Sequence, residues 1–132
     1  MKLILFKKPV VVFNVFDKYI DADTFLDTFT VEQSKDSRKL EREAKLALER
    51  AKRGGKVVEL KIPGEASHKW YLRDNKYYRW YKSLEYKYFK RKYGIKDVPA
   101  LILESDKTYK VLGKDATAEK ILNEIEKIYE IN

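Results

Sequence analysis

Pro9, Gly54, Gly55, Pro63, Gly64, Gly94, Pro99 and Gly113 are all the glycines and prolines of this chain, and none interrupts a segment of regular apolar periodicity. Both residue types weaken the interiors of helices and strands, so their positions punctuate the chain and limit the elements it can form. Residues 2 to 15 are apolar and β-branched except at Lys7-Lys8-Pro9. This predicts a buried strand over Pro9 to Val15, with Lys2 to Phe6 as an edge or lead-in. Phe16 to Ile20 reads as a loop, and Asp21 as the cap of a short helix carrying Phe25, Leu26 and Phe29 on one side. Between Ser37 and Arg53, Leu40, Ala44, Ala47, Leu48 and Ala51 recur at helical spacing before Gly54-Gly55 stops the pattern.

Lys56 to Ile62 carries Val57, Val58, Leu60 and Ile62, which predicts a second strand parallel to the first and ended by Pro63-Gly64. Parallel strands need a crossover of a dozen or more residues, which the intervening helices supply. His68 to Tyr93 reads as mostly helical, with Tyr77, Trp80, Tyr81, Leu84 and Tyr88 as a buried stripe. Val98 to Glu104 and Thr108 to Leu112 form a hairpin around Ser105-Asp106-Lys107. Asp115 or Thr117 caps a last helix whose apolar face is Ala118, Ile121, Leu122, Ile125, Ile128 and Tyr129. The expected architecture is α/β in the order βαβαββα. Its central mixed sheet has two parallel strands and an antiparallel C-terminal hairpin, flanked by helices, in a single domain over residues 1–132.

With 132 residues the chain can bury roughly two-thirds of its unfolded surface around one core, without disulfide or zinc. It contains no cysteine, so it cannot carry out thiol-disulfide exchange. There is no apolar run of about 18 residues to span a membrane, and Met1 to Lys8 is too short and too soon recharged for a secretory signal. The default compartment is the cytoplasm, or the virion or host cytoplasm for a viral protein. One glutamine, four asparagines and one methionine against 38% charged residues resemble the composition of thermophile proteins. A hyperthermophile, or a virus or plasmid living in one, fits that balance.

The stretch Tyr93-Gly94-Ile95-Lys96-Asp97-Val98-Pro99-Ala100-Leu101, with the hairpin and closing helix after it, resembles the second half of a thioredoxin. The whole element order resembles the thioredoxin-like fold, with the segment before Pro99 expanded. The resemblance implies that Pro99 is the family's cis-proline and that Val98 exposes backbone groups able to pair with an extended peptide. It also implies a degenerate active-site corner made of Asp17, Lys18, Tyr19, Ile20 and Asp21, beside Val98 and Pro99. In the family a catalytic thiol pair follows the first core strand and opens a helix, whose N-terminus lowers the attacking thiol's pKa. Ala100 departs from the Thr that redox members often carry after the proline. A Tyr19 hydroxyl that activates glutathione would mark a glutathione-transferase-like enzyme, and the missing all-helical second domain argues against one.

Residues 68 to 93 hold nine basic and two acidic residues, a net +7 within a chain of net +8, and ten of the chain's eighteen aromatics. Basic side chains neutralise phosphates, and aromatic faces stack unpaired bases at about 1–3 kcal/mol each. Lys69, Trp70, Tyr71, Arg73, Tyr78, Lys82, Tyr86, Lys87, Lys90, Arg91 and Lys92 are therefore the candidate binding surface. Two plainer readings compete. Tyr packs at core edges with its hydroxyl wet, and a lysine-rich face can simply be solvated over its apolar stems. Trp70, Tyr71, Tyr78 and Tyr86 lie off the helical stripe and point to an interface.

His68 is the only histidine, which leaves Ser/His/acid catalysis and histidine metal sites without support. Asp17, Asp21 and Asp23 lie close together, but Asp21 reads as a helix cap. Gly54-Gly55 follows a helix, so it is no phosphate loop. No catalytic residue, cofactor or metal is expected. The expectation is a redox-inactive thioredoxin-fold binding or assembly module with a protein partner or a second copy; the alternative is a nucleic-acid-associated protein using residues 68–93.

Overall fold

The computed structural model describes residues 1–13, 29–65, 80–106 and 108–131. Strand β1 (Lys2–Phe6) is followed by a hairpin of β2 (Pro9–Phe13) and β3 (Phe29–Gln33), then helix α1 (Lys35–Arg53) and strand β4 (Glu59–Lys61). A 3-10 turn over Trp80–Lys82 leads into α2 (Leu84–Lys92). Strands β5 (Ala100–Glu104) and β6 (Tyr109–Leu112) and helix α3 (Ala118–Ile131) complete the chain. The result is an α/β architecture with three helices among the described residues and a mixed open sheet in the order β4-β1-β5-β6. β4 runs parallel to β1 (Leu3 opposite Leu60), β5 antiparallel to β1 (Ile4 opposite Ile102), and β6 antiparallel to β5 (Leu101 opposite Leu112).

The centre of this sheet corrects the expected strand assignment. Lys2–Phe6 is neither edge nor lead-in: it lies between β4 and β5, with Leu3, Ile4, Leu5 and Phe6 all buried. An unbroken apolar run is what a strand covered on both faces requires. Pro9–Phe13, expected to be the central strand, instead leaves this sheet and pairs with β3 in a two-stranded ribbon. Pro9 has no N–H to give a ladder interior and opens that ribbon. Phe29, expected on a helix, begins β3. The strand expected over Lys56–Ile62 is confined to Glu59–Lys61, and it is β1 that it parallels.

Alternation along β1 divides the core in two. Leu3 and Leu5 pack with Leu40, Ala44, Ala47 and Ala51 of α1 and Ile121 and Ile125 of α3. Ile4 and Phe6 face the other way, onto Tyr86, Tyr93 and Ile95. Small residues on α1 let it lie close against α3. The Thr117 Oγ1 caps α3 by accepting from the Lys120 N–H (3.2 Å), and Glu43 Oε2 accepts from the Ala118 N–H (2.9 Å).

The expected helix over 68–93 is interrupted. Ser83 is the N-cap of a new helix: its Oγ accepts from the Tyr86 N–H (3.1 Å) and donates to the Trp80 carbonyl (2.7 Å). This cap resets the helical register and splits the predicted stripe: Trp80 and Tyr81 are half-buried against the core, Leu84 and Tyr88 are not, and Tyr77 lies outside the described residues. Leu84 is 85% and Tyr88 61% exposed, whereas Tyr86 and Tyr93 are buried. Gly64 accommodates the junction with φ +89°, because a Cβ there would meet the Trp80 carbonyl oxygen at 2.7 Å.

Candidate functional site

Three chain segments meet at the C-terminal end of β1. The link Lys7-Lys8 follows β1, the loop 93–99 precedes β5, and Gly113-Lys114 follows β6. Together they line a groove of about 640 Å³, with Lys8, Ile95, Lys96, Val98, Pro99, Val111 and Lys114 among its walls. The Val98–Pro99 peptide bond is cis, the form that the resemblance implies for Pro99. Pro99 is buried and Val98 half-buried. No hydrogen bond engages the Val98 N–H or C=O among the described residues.

The link is held tightly. The Lys7 carbonyl accepts the Tyr86 hydroxyl (3.1 Å) and the Trp80 Nε1–H (3.4 Å), and Lys7 Nζ lies 3.7 Å from Glu41. The Lys8 N–H donates to Ser37 Oγ at 2.7 Å. Ser37 is fully buried and its Oγ lies 2.8 Å from the Oγ of Ser34, the half-buried N-cap of α1. A hydroxyl pair at i, i+3 thus opens the helix that follows β1 and its hairpin, next to the residue that lines the groove. Ser34 Oγ also accepts the Ser37 N–H (3.1 Å), satisfying one of the helix's free donors.

The predicted residues separate into three groups. Asp17, Lys18, Tyr19, Ile20 and Asp21 of the expected corner, and Lys69, Trp70, Tyr71, Arg73 and Tyr78 of the expected basic aromatic surface, lie outside the described residues. Lys82 ends the 3-10 turn. Lys87, Arg91 and Lys92 are exposed on α2, and Lys90 is half-buried there.

Tyr86 is a correction. It was expected on the binding surface, yet it is buried, its ring meets Phe6 edge-to-face at 5.7 Å, and burial pushes its pKa up to about 12. Phe89 also turns inward, stacked on Tyr93 at 6.2 Å and covered by Lys61 Nζ at 4.7 Å and Lys92 Nζ at 5.8 Å. These aromatics serve packing, which leaves Tyr88 as the exposed ring of α2.

Sequence reasoning missed Lys8, Ser34, Ser37, Lys96 and Lys114. The available signal was the pattern Ser34-x-x-Ser37 ahead of an amphipathic helix, but its significance depends on β1 being the central strand. Among the described residues no group of three or more His, Cys, Asp or Glu could hold a metal ion, and no helix is long and apolar enough to cross a membrane. No protein-family model, curated protein or solved structure matches this chain.

Proposed function

We propose that this chain is a thioredoxin-like binding module without redox chemistry, and that it holds an extended peptide segment in the groove beside Val98–Pro99. What supports the fold is the parallel pair β1 and β4 joined to the antiparallel hairpin β5 and β6, with helices between them in the order the resemblance implies. What carries the function is one juxtaposition: Lys8, hydrogen-bonded to Ser37 at the opening of α1, lines the same groove as Val98 and Pro99.

In this reading Ser34 and Ser37 stand where the family's thiol pair would stand. Serine hydroxyls ionise far above neutral pH and form no disulfide, so the corner is left to recognition. The N–H and C=O of Val98, unclaimed among the described residues, are suited to main-chain pairing, the mode by which an extended segment gains affinity with little regard to sequence.

The test is peptide binding by the intact protein, mapped by amide chemical shifts, with a variant that blocks the groove. Gly113 lines the groove and a Cβ there meets nothing within 4 Å, so the side chain of Gly113→Tyr starts from open space at the rim. Shifts at Val98, Ala100 and Lys114 that vanish in Gly113→Tyr support the reading. Binding that maps elsewhere and survives the substitution sinks it.

A second reading, contact with single-stranded nucleic acid, is favoured by the exposed Tyr88 beside the exposed Lys87, Arg91 and Lys92 on the outer side of α2. It requires affinity for oligothymidylate that falls steeply with salt and is lost when Lys87, Lys90, Arg91 and Lys92 become Gln.

A further inference from the structure

We propose that the segment the groove takes is acidic. This inference rests on the peptide-binding reading above and adds the partner's chemistry. Lysines stand on three sides of the groove: Lys8 after β1, Lys96 ahead of the cis bond and Lys114 after β6. All three are exposed, and no ion pair engages them among the described residues.

Some lysines elsewhere on the molecule are neutralised by carboxylates, while others, such as Lys39 and Lys87, are not among the described residues. Lys7 lies beside Glu41, Lys56 beside Glu126, and Lys110 and Lys127 flank Glu124. Among the described residues, Asp97 is the one acidic residue of the groove lining. What distinguishes the groove is that three such lysines converge on one concave surface, and the basic last turn of α2 adds to their field.

The lining also separates a peptide from a nucleic acid. Ile95, Val98, Pro99 and Val111 form aliphatic walls, and among the described residues the lining includes no aromatic ring on which a base could stack. An extended chain with carboxylates on both sides satisfies the whole arrangement: its main chain meets the Val98 N–H and C=O, and its side chains meet the lysines.

Fluorescence anisotropy with four labelled probes tests this: a glutamate-rich peptide, a serine-glycine peptide of equal length, a lysine-rich peptide and an oligothymidylate. The glutamate-rich peptide binds best, and Lys8→Gln, Lys96→Gln and Lys114→Gln together weaken it by about tenfold, the sum expected of three exposed ion pairs. Gly113→Tyr abolishes its binding. Equal affinity for the serine-glycine peptide overturns the acidic preference while leaving the peptide groove standing. No binding of any peptide overturns both. Tighter binding of the oligothymidylate that depends on the same three lysines overturns the inference in favour of a polyanion site. Unchanged circular dichroism and urea midpoint in the lysine variant, expected for exposed side chains, separate lost contact from lost fold.

Discussion

The Tyr86 hydroxyl donates to the Lys7 carbonyl at 3.1 Å, joining residues 79 apart in the chain and tying α2 to the end of the central strand. The Tyr86 hydroxyl belongs to a buried ring and the bond is largely shielded from water. Tyr86→Phe is expected to cost about 1 kcal/mol at neutral pH, measured by urea unfolding. The pKa of Tyr86 lies at about 12, above its ordinary 10.0, so between these values the unfolded chain releases a proton that the folded chain keeps. Stability contributed by this group therefore falls as pH rises from 10 towards 12, and Tyr86→Phe should show a shallower decline than the parent across that window. Parallel declines would refute the assignment.

Tyr93→Phe should have the opposite sign. The Tyr93 hydroxyl is buried and makes no hydrogen bond among the described residues, so removing it relieves a desolvation cost of about 1 kcal/mol or more. An increase in the urea midpoint is expected, and a loss comparable to that of Tyr86→Phe would contradict the packing described.

Ser37→Ala removes the acceptor for the Lys8 N–H and the partner of Ser34 Oγ within a fully buried pocket. A cost of about 1–3 kcal/mol is expected. Lys39→Ala, an exposed change two residues on, should stay within about 0.5 kcal/mol of the parent.

Ser34→Cys with Ser37→Cys tests the proposal that these serines stand at thiol-pair positions. The two Oγ atoms are 2.8 Å apart, close enough that small side-chain rotations bring sulfurs at these positions to the roughly 2.0 Å of a disulfide. Under mild oxidation the double variant should lose both free thiols in a thiol-reagent assay without forming dimers. Two thiols that stay reactive would remove Ser34 and Ser37 from the thiol positions.

Leu84→Ser should change stability by less than about 0.5 kcal/mol, because the Leu84 side chain is 85% exposed. A loss of the size caused by core truncation, about 2–5 kcal/mol, would instead restore the helical stripe read from residues 77 to 88.

Much of the fold is legible in single residues. The spacing of Leu40, Ala44, Ala47 and Ala51 reports α1, and that of Ile121 and Ile125 reports α3, because a helix buries the same face every three to four residues. The β5 and β6 hairpin and the Thr117 cap are legible for the same local reason. The site was far less so. Tyr86 and Tyr88 have the same side chain two residues apart, and only the cap at Ser83 decides that one is core and the other surface.

What the chain determined alone is what depends on neighbours in sequence: periodic faces, caps, the breaks at glycine and proline, and the absence of thiol chemistry. Which of two adjacent apolar runs is central was settled instead by strand pairing in three dimensions. Lys2–Phe6 and Pro9–Phe13 are both strands by composition, and their ranking depends on long-range pairing with β4 and β5 that no local pattern encodes. That choice moves the end of the central strand from Val15 to Phe6, and with it brings Lys8, Ser37, Lys96, Val98–Pro99 and Lys114 into one neighbourhood.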